Sequence, residues 1–244
     1  MPEIEIFPDG ASLAQRAAEQ FTALASYAIR KRGRFVVALS GGSTPKAMNA
    51  LLATTFAKQI DWAKVFVFWS DDRCVSPEDP ESNYGNARAG LLANVPIPAE
   101  NIHRVYGELT PEHAAQKYED ELRAFFADKA TPRFDLILLG LGDDGHTASL
   151  FPGTPGIREN SRWAVSVKHT EPPLPLVDRV TFTPPLINAA GNVTFLVTGA
   201  AKAERLRQVL RDPYSPDVLP AQVVRPKDGK LFWFLDEAVA AKIV

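Results

Sequence analysis

The stretch Phe134-Asp135-Leu136-Ile137-Leu138-Leu139-Gly140-Leu141-Gly142-Asp143-Asp144-Gly145-His146-Thr147 decides the fold. Leu136 to Leu139 are apolar at every position, so a strand made from them has no face to show to water and is covered by other elements on both sides. Glycines and acids follow at once, which ends the strand and starts a turn. Phe35-Val36-Val37-Ala38-Leu39 has the same character and runs into Ser40-Gly41-Gly42. Outward from these two strands, short β-branched or aromatic runs alternate with segments of helical period along the whole chain, the pattern of βα units. It predicts strands over 3–7, 34–40, 65–70, 102–105, 134–140, 163–168, 179–183, 193–198 and 231–235. Helices are predicted over 12–32, 44–53, 83–92, 111–127, 148–150, 185–190, 202–210 and 236–243. The proline-dense segment 171–177 and the segment 211–226 read as loops and not as domain boundaries, because the alternation resumes after each. The expected fold is α/β: a mostly parallel twisted sheet with helices on both faces, in one domain over residues 1–244.

Composition narrows the function. The chain has 244 residues, 45% of them hydrophobic and 23% charged, which suits a globular protein and excludes disordered, collagen-like and coiled-coil classes. Its one cysteine, Cys74, cannot close an internal disulfide or build a thiolate cluster, so a reducing compartment is expected. The opening Met1-Pro2-Glu3-Ile4-Glu5 is acidic where a signal peptide needs a basic region, and no window approaches the ~18 apolar residues of a membrane span. The cytosol is the expected location. A net charge of −2 with interspersed signs offers no basic face, so neither nucleic acid nor membrane is an expected partner. A monomer is expected, with a dimer as the alternative.

Four segments carry candidate chemistry. In Ser40-Gly41-Gly42-Ser43-Thr44-Pro45 the glycines let the backbone approach a ligand, Thr44 can cap the following helix, and Pro45 suits its first turn. Exposed N–H groups there form an anion site; the plain alternative is a tight βα turn. The helix dipole contributes only ~0.3–1 kcal/mol against about 1.5–3 for each hydrogen bond to a charged group, so a phosphate there also needs side-chain donors. The G-x-x-x-x-G-K-[ST] pattern of a P-loop is absent.

The second segment is the opening stretch itself. It matches G-x-G-x-x-G, a dinucleotide fingerprint, but Asp143 and Asp144 stand where a pyrophosphate would sit. At ~4 Å each such repulsion is about 1 kcal/mol in water and about 4 at an effective dielectric of 20. The glycines instead present Asp144 and His146 at the carboxyl end of a central strand, where open α/β sheets keep their ligands. His146 is the candidate general base, an effect of ~10²–10⁴ in rate; the alternative is a histidine satisfying backbone groups in a turn.

Third, Trp69-Ser70-Asp71-Asp72-Arg73-Cys74 leads to Glu81-Ser82-Asn83-Tyr84, where Arg73 can grip a phosphate in fork geometry. A solvated loop with a surface ion pair is the alternative there, and Cys74 reads as an ordinary partly buried thiol. Fourth, Val197-Thr198-Gly199-Ala200-Ala201-Lys202 sets Lys202 in a first helical turn, against the dipole, which points to an anion. His103, His113, His146, His169 and Cys74 lack metal-ligand spacing, so no metal and no cofactor is expected; a hard cation on Asp143 and Asp144 is the alternative.

Taken in order, these segments resemble the 6-phosphogluconolactonase family. The resemblance includes Gly142-Asp143-Asp144-Gly145-His146-Thr147-Ala148-Ser149-Leu150-Phe151-Pro152-Gly153, Arg179-Val180-Thr181, Gly199-Ala200-Ala201-Lys202-Ala203 and the closing Trp233-Phe234-Leu235-Asp236. It implies a modified Rossmann-like fold and a cytosolic, metal-independent hydrolase of 6-phospho-D-glucono-1,5-lactone, whose partner is that phosphorylated sugar lactone. By resemblance His146 is the water-activating base, Asp71 an active-site acid, and Gly41, Gly42, Ser43, Thr44, Arg73, Arg179 and Lys202 are contacts of substrate or phosphate. Asp144 or Asp71 orients the imidazole, and glycine N–H groups or Lys202 stabilise the oxyanion. Asp72 departs from the family, which commonly has Glu there. The related glucosamine-6-phosphate deaminases carry a glutamate five residues after the histidine, where this chain has Phe151. A sugar-phosphate sensor that binds without reacting is the third possibility, and such sensors usually add a DNA-binding helix-turn-helix for which one fold of this length leaves no segment.

Overall fold

The computed structural model describes residues 2–127 and 132–244. The chain opens with strand β1 (Glu3–Phe7) and helix α1 (Gly10–Arg32). The Asp9 carboxylate caps α1 by accepting the Ser12 N–H at 2.7 Å, and Gly33 ends it in the left-handed conformation, φ 75°. Strand β2 (Phe35–Leu39), helix α2 (Ser43–Ala53), strands β3 (Val65–Trp69) and β4 (Asp71–Arg73), and helices α3 (Asn83–Gly90) and α4 (Pro111–Phe125) follow. The second half contains β5 (Leu136–Leu139), β6 (Ala164–Val167), β7 (Arg179–Phe182), α5 (Pro184–Ile187), β8 (Asn192–Val197), α6 (Ala203–Arg211), β9 (Lys230–Asp236) and α7 (Glu237–Ala240).

Six strands pair in the order β1-β9-β8-β5-β2-β3, every neighbour parallel. Side chains alternate across this sheet into two cores. Phe35, Val37, Leu39, Leu136 and Leu138 meet α1, α2 and α3 on one face. Val36, Ala38, Ile137 and Leu139 meet α4, α5, α6 and α7 on the other. The all-apolar strands are therefore central for the reason their sequence implies, and the architecture is the expected α/β one with helices on both faces.

Four local expectations change. Strands β6 and β7 do not enter the parallel sheet; with β4 they form an antiparallel sheet in the order β4-β7-β6. Its Val180 and Phe182 add to the second core while Asp71 and Thr181 pair across the strands. The strand predicted over 102–105 shrinks to one bridge between Ile102 and Val67, because the ladder position beyond it is taken by Tyr118, whose hydroxyl accepts the Trp69 N–H and donates to the Trp69 carbonyl, both at 2.9 Å. No helix forms over 148–150, where Ala148 adopts φ 48°. The helix predicted over 236–243 is α7 alone, with Asp236 as its cap toward the Val239 N–H.

Buried Glu119 of α4 fastens this helix to the antiparallel sheet. Its Oε2 accepts the N–H groups of Trp163 and Ala164 at the start of β6, both at 2.7 Å, while Oε1 meets Arg123 Nε at 2.7 Å. Glu119→Ala strands two buried donors and is expected to lower unfolding free energy by about 2–4 kcal/mol. Glu119→Gln keeps an acceptor for both and is expected to lose less, as measured by urea denaturation.

Candidate active site

Val37 pairs with Leu136 and Ala38 with Ile137, so the turns that leave β2 and β5 emerge side by side at the carboxyl rim. Between them lies a cleft of about 300 Å³. Gly41 and Gly42 line it from the first turn, Gly142 and His146 from the second, Asp71, Arg73 and Arg179 from the antiparallel sheet, and Lys202 from the turn after β8.

At the first turn Gly42 stands at φ 111°, a conformation open to glycine, and is itself the N-cap of α2. Thr44 does not cap this helix as predicted: its hydroxyl meets the Thr198 hydroxyl at 3.2 Å, away from the cleft lining. No side chain caps α2, which leaves its first-turn N–H groups to a ligand. Ser43 lines an adjoining cavity of about 360 Å³ that shares Gly41, Gly42 and Arg73 with the cleft. Gly41 is required by contact: a Cβ there would lie 2.0 Å from Asn83 Oδ1. Asn83 in turn donates its Nδ2–H to the Asp71 carbonyl at 2.9 Å.

The second turn closes on itself, the Gly142 N–H donating to the His146 carbonyl and the Gly145 N–H to that of Gly142. No helix starts here, so this turn offers no helix N-terminus to a pyrophosphate. Asp144 Oδ1 lies 2.6 Å from His146 Nδ1 and also accepts the His146 backbone N–H at 3.0 Å. Burial raises the Asp144 carboxyl, but the bond and charge of His146 outweigh it and hold the group below the ordinary carboxylate value. The pair needs Gly142, whose Cβ would fall 2.1 Å from His146 Nδ1.

Of the two acids that could face the imidazole, Asp144 does; Asp71 instead accepts the Ser149 hydroxyl at 2.7 Å. Arg73 gives Nη1–H to the Glu81 carbonyl at 2.6 Å. Arg179 gives Nε–H and Nη2–H to the carbonyls of Val177 and Pro175, both at 3.1 Å, and burial lowers its pKa against the pull of Asp71. Lys202 ends the 3₁₀ turn Ala200–Lys202 and has no ion-pair partner among the described residues. Burial, with Asp178 and Asp72 nearby, pushes the Cys74 thiol up to about 12, so it is no thiolate nucleophile. Among the described residues no three His, Cys, Asp or Glu side chains gather as a metal site. No helix among them is long and apolar enough to cross a membrane.

Asn83, Ser149, Pro173 and Leu174 also line or brace the cleft; the first two lie in the quoted motifs with no role predicted for them, and Pro173 and Leu174 read only as part of a proline-dense loop. A larger cavity of about 470 Å³ opens near Trp233 at the amino end of β9. Its cations are engaged, Arg225 over the Tyr214 ring and Lys230 with Glu3, and no histidine lines it.

A parallel sheet with a histidine–carboxylate pair and three cations around one rim cleft is the arrangement of an α/β enzyme for a small anionic substrate. Residues 8–233 match the family described as Glucosamine-6-phosphate isomerases/6-phosphogluconolactonase. A 6-phosphogluconolactonase of Synechocystis sp. is 43% identical over 240 residues, covering 97% of this chain and 96% of its own length. One from Nostoc sp. is 42% identical, with 98% of each chain covered. The solved 6-phosphogluconolactonase from Trypanosoma cruzi superposes with a TM-score of 0.87 at 28% identity, covering 100% of this chain and 97% of that one. This chain belongs to the glucosamine-6-phosphate isomerase/6-phosphogluconolactonase family.

Beside the cleft, Asp72 is 2% exposed and fixes the start of α3, accepting the N–H groups of Asn83 at 2.7 Å, Tyr84 at 3.0 Å and Arg73 at 2.8 Å. Burial pushes its carboxyl from the ordinary 3.8 up to about 6, against those three donors and with Asp71 adding to the rise. The unfolded chain therefore releases this proton first, and ionisation of Asp72 costs stability between pH 4 and 6. The unfolding free energy of the wild type relative to Asp72→Asn is expected to fall by about 3 kcal/mol over that window, measured by chemical denaturation at each pH.

Proposed function

We propose that this chain hydrolyses 6-phospho-D-glucono-1,5-lactone to 6-phospho-D-gluconate in the pentose phosphate pathway, as one domain over residues 1–244 in the cytosol. The observation that carries this reading is the 2.6 Å Asp144–His146 pair on the same cleft as the uncapped glycine turn and the cations Arg73, Arg179 and Lys202.

Asp144 accepts the Nδ1 proton, which leaves Nε2 as the basic nitrogen of His146. That nitrogen takes a proton from water as the oxygen attacks the lactone carbonyl. The oxyanion of the tetrahedral intermediate is stabilised by backbone N–H groups of the glycine turns or by Lys202. Collapse expels the ring oxygen, and His146 returns its proton to that alkoxide, so one histidine serves both transfers. The phosphate binds the first turn of α2 with Arg179 and Lys202, and Arg73 and Asp71 contact the sugar. Neither metal nor cofactor takes part.

Fresh 6-phosphogluconolactone is expected to give acid release at an enzymatic rate in a pH-stat, and glucosamine 6-phosphate no ammonia. Ammonia release without lactone hydrolysis would assign the chain to the deaminases, and binding without either product would make it a sensor. His146→Ala is expected to reduce kcat by ~10²–10⁴ with little change in KM. Gly142→Ala, whose methyl group displaces the imidazole, is expected to reduce kcat by about 10² while the protein keeps its fold by circular dichroism.

A further inference from the structure

Phe151 and His169 make contacts that the mechanism above leaves unused. Both are buried, each 6% exposed. The Phe151 ring centroid lies 4.6 Å from that of His146, tilted by 45°, and 4.2 Å from that of His169, stacked at 17°. His169 Nε2 lies 2.6 Å from the Pro173 carbonyl, an acceptor, so this nitrogen carries the proton and donates. Its backbone N–H donates to Asp178 Oδ1 at 2.9 Å, which fixes where the ring starts from. Pro173 and Leu174 are part of the cleft wall. One buried imidazole thus reaches the site twice, by its face through Phe151 to His146 and by its N–H through Pro173 to the wall.

Each contact has its own job, and Arg179 shares in the first, its guanidinium carbon 5.6 Å from the Phe151 ring centroid. A single hydrogen bond to Asp144 pins Nδ1 at a point and leaves the His146 ring able to swing about it. A swing of about 30° carries Nε2 through about 1 Å, a misplacement that costs about 10²-fold in rate. The Phe151 ring limits that swing, and the stacked His169 ring backs Phe151. The segment around Pro173, for its part, has little apolar burial of its own, with Leu174 77% and Leu176 49% exposed. Its carbonyls are held by His169 at Pro173 and by Arg179 at Pro175 and Val177.

We infer that His169 is a positioning residue with two separable duties: through the Phe151 ring it sets the plane of the catalytic imidazole, and through the Pro173 carbonyl it holds one wall of the cleft against the substrate. The inference rests on the lactone hydrolase reading above.

Two substitutions separate the duties. His169→Phe keeps a flat ring against Phe151 and removes the donor to Pro173; kcat is expected to stay within about threefold and KM to rise about tenfold. His169→Gln keeps an amide N–H for Pro173 and removes the ring; KM is expected to stay within about threefold and kcat to fall about tenfold. Phe151→Leu is expected to lower kcat like the Gln variant, and it carries the first duty if either His169 variant fails to fold. Imidazole ¹H–¹⁵N spectra read the ring position without turnover: the His146 signals are expected to stay sharp in His169→Phe and to shift and broaden in Phe151→Leu and His169→Gln. Equal effects of both His169 substitutions on the same kinetic parameter, or unchanged His146 signals in all three variants, would overturn the inference. Failure of the wild type to hydrolyse the lactone would refute the hydrolase reading instead, with the spectra still reporting on the ring contact.

Discussion

Val37 lies opposite Leu136 and Ala38 opposite Ile137, and because both strands run the same way their carboxyl ends finish together. Every feature of the candidate site depends on that pairing. It sets a glycine turn that opens an uncapped helix beside a glycine turn that presents a histidine, although the two belong to separate βα units. Close packing against the core on each face holds the register, since a one-residue slip would exchange the side chains that fill the two cores.

Around that rim the chain is packed closely enough that small residues become requirements. The space a methyl group would need at Gly41 is filled by the Asn83 amide, and at Gly142 by the His146 imidazole. The antiparallel sheet completes the enclosure by turning Asp71, Arg73 and Arg179 toward the glycine turns, and Glu119 ties its outer strand to α4. The geometry of the candidate site and the stability of the fold are thus joined at a few buried polar groups, Glu119, Asp72 and Asp71, each satisfied by backbone, hydroxyl or guanidinium donors.

The central strands, the α/β class and the glycine turns were legible in the sequence because they follow from local rules: continuous apolar runs, glycine after a strand, helical period between. The antiparallel sheet was not, because Asp71-Asp72-Arg73 carries no strand signal and pairs with residues 179–181 only through tertiary structure. Thr44 looked like a cap because capping preference is a local property, whereas the observed start of α2 is set by the conformation of Gly42. The sequence left Asp71 and Asp144 as equal candidates for orienting His146, since the choice turns on side-chain direction in a folded turn. Position 151 was marked only as the place where the deaminases carry glutamate, and its contact with His169 stayed hidden because ring contacts between a turn and a distant loop leave no periodic trace.

The uncapped start of α2 has a consequence beyond catalysis. Gly42 in place of a serine or aspartate gives up a few tenths of a kcal/mol of helix stability and leaves the terminal amides in want of an acceptor. An anion seated there completes the helix as a side chain would, and any ligand that favours the folded state over the unfolded one raises the melting temperature by mass action. On the proposed function, resistance to heat is then a property shared between the polypeptide and its substrate, rising and falling with the supply of phosphorylated sugar.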